Sequence, residues 1–484
     1  MDRSELQARL AAAQRQESES PAAAEAALRD MLAEHPAEPL VLVRLARLLH
    51  RVGRVGEAIP LMLQAAQIEP TPAVFNDLGS LHLAAGDSAS AIDAYEAALR
   101  LDSKYLLARS NLADVLLETG RIHEAIDSYR EVLARDPTSV DAQVGLAIAA
   151  LRSGQIAVAI SACEAALAVQ PGHIPALHAM AIALGNAGDK TSAIATERQA
   201  LTVNPQFAKG WHALGNLLDE TGDVTRAAQA YERALELEPG LVEVSFDLAA
   251  LSGESPPRSM PRPYVTRLFD DFAATFERRL VAELDYRVPE ALRQAVAAEL
   301  GEFGTARRPG TAPRPYPTDD EKSLDILDLG CGTGLVGKQF RDLARRMTGV
   351  DLSTAMLAAA RAAGIYDELV CNDVVDYMRA VDSRFDLVLA ADLFIYVGDL
   401  EELFAAARRV LRPSGLFAFS IETIEQLHWV LRRTRRYAHS SEYIGALAIR
   451  HGFAIRDAQR TSLRRGEEGP VEGQIIVLRT GDKD

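Results

Sequence analysis

Only three cysteines, Cys163, Cys331 and Cys371, occur in 484 residues. They exclude a disulfide framework and a four-thiolate metal site. No unbroken apolar run is long enough for a membrane span, which needs about 20 mainly apolar residues. Residues 165–188 carry no Asp, Glu, Lys or Arg, yet Pro171, Gly172, His173 and Pro175 interrupt them. The opening MDRSELQARLAAAQRQESES lacks the apolar centre of a secretory signal, so a cytoplasmic location is the expectation. An excess of positive charge is missing too. Lys and Arg number 52 against 68 acids, a formal charge of −16, which is the wrong sign for a general nucleic-acid binder. What remains is ordinary for a globular chain, 48% hydrophobic and 25% charged. It is too long for one core, since single domains stop growing near about 250–300 residues.

The first half repeats itself. Gly86, Gly120, Gly154, Gly188 and Gly222 are spaced by 34, and Ala91, Ala125, Ala159, Ala193 and Ala227 follow each by five. Pro137, Pro171, Pro205 and Pro239 keep the same beat. With one residue fewer in a single repeat, Pro36, Pro70, Gly53 and Ala58 join the series. Each unit reads as two helices. The period glycine ends the first helix in a left-handed conformation, and small residues such as Gly79 and Ala113 let the helices approach. Ala91, Tyr95, Ala98 and Leu99 make one apolar stripe on the second helix. This pattern resembles the tetratricopeptide repeat. About seven units are expected, with residues 1–252 forming a solenoid whose last helix, 241–252, caps its open end. The resemblance implies a protein partner on the concave face, where Asn76, Ser80, Asn111, Asp114, Asp141, His178, His212 and Asn216 are candidates. Residues 1–250 hold 33 acids and 20 bases, so −13 of the −16 lies here and a basic or neutral partner is favoured.

Residues 253–263, within SGESPPRSMPRP, read as a linker. A helical arm over 264–300 follows, with Phe269, Phe272 and Phe276 on one face that either packs into a core or covers a cofactor. A Gly/Pro-rich loop spans 301–322, and from 323 the period changes. LDILDL, MTGVDL, ELVCND, FDLVLAAD and GLFAFSIE alternate with helical patterns, which implies a parallel sheet covered by helices.

The chemistry lies in DLGCGTGLVG, Asp328–Gly337, where a strand enters a glycine turn and then a helix. Three cofactors compete. A phosphate loop needs a Ser or Thr after Lys338, where Gln339 stands. A dinucleotide would bring its pyrophosphate against Asp328, whereas S-adenosylmethionine brings an ammonium and no phosphate. Asp351, 23 residues beyond Asp328, is spaced to take ribose hydroxyls, and Asp373 to accept from an adenine amino group.

On these motifs, residues 264–484 resemble a class I S-adenosylmethionine-dependent methyltransferase with an α/β Rossmann-like fold, fused here to an all-α tetratricopeptide solenoid. The resemblance implies that Asp328, Gly330, Gly332 and Gly334 surround the methionine part. It places Asp351 on the ribose, Asp373 near the adenine, and Ala390 or Ala391 at the methionine amine. The arm PYVTRLFDDFAATFERRL is similar to the lid of such enzymes. AADLF at the fourth strand is neither an Asn/Asp-Pro-Pro-aromatic box nor a Pro-Cys pair, which argues against methylation of adenine or cytosine. Asp392 and Tyr396, with His439 and Tyr443 further on, are the residues expected to bracket an acceptor. His439 would be the base if one is used, and Tyr443 a substrate contact. Cys331 reads as a packing residue, and the run Arg432, Arg433, Arg435, Arg436 as a solvated face. Three functions compete: methylation of a protein or protein-carried acceptor, methylation of a small molecule, and non-catalytic assembly.

Overall fold

The computed structural model describes residues 3–254, 256–273, 276–278, 280, 284–304, 324–426, 428–466 and 469–481. They fall into two compact units, Met1–Thr221 and Gly222–Asp484.

The first unit consists of antiparallel helices, from Arg3–Gln16 to Ala208–Glu220. The period glycines do what their spacing requires: Gly86 and Gly120 both sit at φ +79°, and Gly188 at +89°, where a side chain would strain the backbone. The tyrosine stripe is buried, and glycine makes room for it. A Cβ on Gly145 would enter the ring of Tyr129, whose side chain is buried and cannot swing away. Gly145→Ala is therefore expected to cost about 1–3 kcal/mol and to lower the thermal midpoint. Gly56→Ala, on an open helix surface, should leave it unchanged or raise it.

Several candidate partner-binding side chains bond within this unit. Asn111 donates to Asn76 at 2.9 Å, Tyr129 to Asp114 at 2.5 Å, and His178 lies 3.1 Å from both oxygens of buried Glu197. Burial raises the Asp114 pKa, and Glu118 and Asp141 add to the shift.

The second unit begins with two helices, Val224–Leu237 and Val242–Ser252, so the compact units divide ahead of the proline-rich joint. The reason is packing: Phe246, Ala249 and Ala250 share a cluster with Met260, Leu431 and Tyr437. The joint itself is a packed strap. Met260 N–H donates to the Tyr396 carbonyl at 2.9 Å, Gly398 and Asp399 amides donate to Arg258 O, and Tyr437 hydroxyl donates to Pro257 O. Composition alone suggested a linker, but proline leaves carbonyls that neighbouring donors can use.

Among the described residues nine strands follow: β1 Leu324–Leu329, β2 Ala344–Asp351, β3 Glu368–Cys371, β4 Phe385–Ala390, β5 Leu411–Glu422, β6 Trp429–Leu431, β7 Tyr437–His439, β8 Phe453–Gly466 and β9 Gly469–Thr480. The main sheet runs β3-β2-β1-β4-β5-β9-β8, and β6-β7 is a separate hairpin. β1–β5 are the five apolar runs, all parallel, whereas β9 is antiparallel to both neighbours. The sheet is thus mixed where the sequence pattern suggested parallel strands throughout. β8 escapes an apolar search because it is a largely exposed edge strand studded with arginine, a usual defence of edges. Alternate side chains feed two cores. Leu327, Val388 and Phe417 enter one, while Ile326, Leu387 and Leu416 enter the other beneath the helix Val288–Gly304.

The arm is broken into Arg262–Phe272, Phe276–Arg278 and Val288–Gly304, with Asp285 at φ +47° in the break. The side chain of Phe272 and nearly all of the 301–322 loop lie outside the described residues. Among the described residues, no helix is long and apolar enough to cross a membrane.

Candidate active site

The order in which strands are added reverses between β1 and β4, because β2 lies to one side of β1 and β4 to the other. A crevice forms at the strand carboxyl ends of such a switch. There a cavity of about 660 Å³ opens, lined among others by Gly330, Gly332, Thr333, Asp351, Leu352, Asp373, Val374, Ala391, Asp392 and Tyr396.

The glycine turn is built by backbone geometry. Gly330, Gly332 and Gly334 have φ of +68°, +52° and +97°, so each needs glycine. The amides of Gly330 and Cys331 donate to Val350 O at 2.8 and 3.1 Å, tying the turn to β2. Asp351, at the end of β2, completes it. One carboxylate oxygen accepts from the Gly332 amide and the other from the Ser353 amide, each at 2.9 Å. Burial raises its pKa despite these bonds. Asp373 caps the helix Val374–Ala380 through the amides of Val375 and Asp376, and pairs with Arg262 at 3.1 Å.

Asp328 lies one layer deeper. It is 1% exposed, is absent from the cavity wall, and accepts from the Tyr366 hydroxyl at 2.6 Å. Burial pushes its pKa up to about 7, and the Asp351 charge adds to this. Tyr366 belongs to no motif of the sequence. Its ring occupies the space a Cβ on Gly337 would need and also abuts Gly334 and Gly349, so it props the turn from behind. Ala390 is likewise buried behind the wall, whereas Ala391 faces the cavity. Cys331 packs inward with its thiol pKa raised by burial.

The arm forms the opposite wall. Phe269 and Phe276 both face the cavity, and Phe269 meets the Tyr396 ring edge-on at 5.3 Å. Asp270 accepts from the Ser353 hydroxyl, so the arm is fastened to the helix that follows β2. Covering the cavity, rather than filling a core, is the role these rings have.

The four acceptor candidates separate. Asp392 and Tyr396 line the cavity, and burial raises both, Tyr396 to about 12. His439 and Tyr443 do not line it. His439 is fully buried, with Nε2–H shared between the carbonyls of Val397 and Gly398 at 2.9 and 3.0 Å. Burial lowers its pKa to about 4, so it supports the turn after β4 as a neutral ring and is out of place as a base. Tyr443 stacks on it, accepts from the Leu400 amide and donates to Asp399. Both histidine and tyrosine brace the loop that carries Tyr396.

Arg433 of the basic run is exposed, but Arg432, Arg435 and Arg436 are partly buried rather than a solvated face. The run closes the β6-β7 hairpin, and Arg435, at φ +59°, bonds buried Asp247 at 2.5 Å. Arg432 bonds Glu422 at 3.0 Å and the Thr423 carbonyl at 2.7 Å, while Arg436 reaches the cavity wall. Arg464 of β8 joins them there, 2% exposed, paired with Glu422 and with Asp392 at 3.3 Å. Neither Arg436 nor Arg464 could be assigned from sequence spacing, because they are brought together by the hairpin and the antiparallel edge.

Residues 327–419 match the methyltransferase-domain family, and 76–140, 111–174 and 178–241 match the tetratricopeptide-repeat family. The chain joins tetratricopeptide repeats to a methyltransferase domain. It is 33% identical over 154 residues to a malonyl-[acyl-carrier protein] O-methyltransferase of Geobacter sulfurreducens, covering 30% of this chain and 56% of that one. It is 34% identical over 101 residues to a ubiquinone biosynthesis O-methyltransferase of Nitrobacter winogradskyi, covering 20% and 38%. The methyltransferase domain thus spans at most about half the length of these curated relatives. A solved tetratricopeptide repeat protein from Parabacteroides merdae aligns with 51% of this chain and 97% of its own, at 18% identity and a TM-score of 0.43.

Proposed function

We propose that the chain is a cytoplasmic S-adenosylmethionine-dependent methyltransferase whose repeats recruit a protein or protein-carried acceptor. The observation that carries the donor reading is the Asp351 carboxylate, set at the cavity wall and gripping the glycine turn. The residues present fit that donor. Asp351 and Asp373 offer acceptors for hydroxyl and amino groups, Leu352 and Val374 offer apolar surface, and Ala391 with the turn offers backbone for the amino-acid part. A phosphate would meet the Asp351 carboxylate at the turn, and Lys338 there is paired with Glu277 at 3.2 Å. The donor supplies an activated methyl group. The protein supplies alignment and exclusion of water, worth roughly 7–11 kcal/mol when donor and acceptor are well oriented.

The recruiting role is favoured over a purely assembling one by two observations. The Geobacter relative carries an acyl-carrier protein in its name, an acceptor borne on a protein. The first 250 residues also concentrate acidic charge, suited to a basic or neutral partner. Calorimetry on the full chain is expected to show S-adenosylhomocysteine binding and no response to NAD or ATP. NAD binding without a response to S-adenosylhomocysteine would reject the methyltransferase reading. Partner capture should weaken with salt, because exposed charges are screened over about 8 Å at physiological ionic strength; salt-independent capture would remove the electrostatic part of the proposal.

A further inference from the structure

We propose that the methyl acceptor is a carboxylate, received by Arg436 and Arg464 at the cavity end marked by Asp392 and Tyr396. This rests on the methyltransferase reading and names the acceptor chemistry of the same site.

Charge balance is the first argument. Around Glu422 the described residues place three guanidinium groups, from Arg432, Arg436 and Arg464, at 3.0 Å, 3.9 Å and direct bonding distance. Against them stand two carboxylates, Glu422 and Asp392, of which Asp392 touches Arg464 at 3.3 Å. The cluster is one positive charge in excess. Glu422 is 2% exposed and Arg464 equally buried, so water screens the charges of that pair poorly. Arg436 is the looser member, with its 3.9 Å contact and a side chain 36% exposed, and it lines the cavity together with Arg464. A planar guanidinium with spare donors at a cavity wall suits a carboxylate ligand.

The second argument is that no nitrogen base is among the described residues of the cavity wall. No histidine or lysine is among the cavity-lining residues. Asp392 keeps one oxygen on Arg464 and leaves the other buried without a partner among the described residues, and Tyr396 holds its proton to about 12. A hydroxyl or ammonium acceptor must lose a proton, whereas a carboxylate need not. The balance of the step is then complete without one. A carboxylate oxygen lone pair forms the new O–CH3 bond, and the S–CH3 bond of the sulfonium donor breaks with its pair retained on sulfur. Anion and cation become a neutral methyl ester and a neutral thioether. The ester no longer carries the charge that the arginines held, which favours its release.

The test uses the full chain with S-adenosylhomocysteine bound, titrated with glutarate or with glutaramide, and a parallel incubation of cell extract with methyl-labelled donor. Glutarate should bind and glutaramide should not. The label should leave the product as methanol in mild alkali, as methyl esters do and ethers or methylamines do not. Arg436→Gln should weaken glutarate about tenfold or more, the loss of one charge-assisted contact, with S-adenosylhomocysteine affinity unchanged. Arg436→Lys should weaken it less. Normal S-adenosylhomocysteine binding with glutarate no better than glutaramide, alkali-stable label, or an Arg436→Gln chain that binds glutarate like the parent would each overturn the carboxylate assignment. Absent S-adenosylhomocysteine binding would instead overturn the methyltransferase reading beneath it.

Discussion

Asp351→Ala is expected to lower affinity for S-adenosylhomocysteine between tenfold and a hundredfold. Hydrogen bonds to a charged group are worth about 1.5–3 kcal/mol, and about 1.4 kcal/mol corresponds to a factor of ten. The parent carboxylate accepts from Gly332 and Ser353 amides and still has lone pairs to offer the cavity. Alanine removes these acceptors together, leaving the amide of a left-handed glycine unpaired and the turn free to relax. Asp351→Asn should fall between, since its single amide oxygen can serve one of the two backbone donors. Calorimetry on the two variants and the parent measures this directly. An Asp351→Ala affinity within threefold of the parent would take Asp351 out of the donor site.

Asp328→Asn is expected to make the protein more stable at pH 8 while changing little at pH 4. The folded-state pKa of Asp328 is raised to about 7 by burial, against roughly 3.9 in an unfolded chain. A raised acid favours folding fully below the unfolded value, and that contribution is lost as pH climbs through the folded value. The window is therefore about pH 4 to 7, and the full difference is up to about 4 kcal/mol at 1.4 kcal/mol per unit. Asparagine stays neutral throughout, and its amide oxygen can still accept from Tyr366. Urea unfolding at pH 4 and pH 8 should thus show the parent losing stability relative to the variant as pH rises. Parallel pH profiles would mean that Asp328 is ionised in the folded protein across the range. A group that destabilises its own fold at neutral pH is commonly retained for function, which agrees with a place just behind the donor turn.

The 34-residue period by itself determines the helices, the left-handed glycines and the buried tyrosine stripe, because each depends on contacts within a repeat or between adjacent repeats. The five parallel strands and the glycine turn were equally legible: an apolar run, a φ above zero and a carboxylate at a strand end are local facts. Tertiary structure alone decided where the compact units divide, since the partners of Phe246 and Asp247 lie near residue 437, almost two hundred positions away. It decided that His439 is a buried brace, because burial and the two carbonyls at Nε2 come from a separate loop. It also turned an arginine run and an edge-strand arginine into one wall of the cavity. Charge in a sequence gives no sign of its neighbours; only the hairpin β6-β7 and the antiparallel β8 bring Arg432, Arg436 and Arg464 to a single glutamate, and that long-range pairing points to the chemistry of the acceptor.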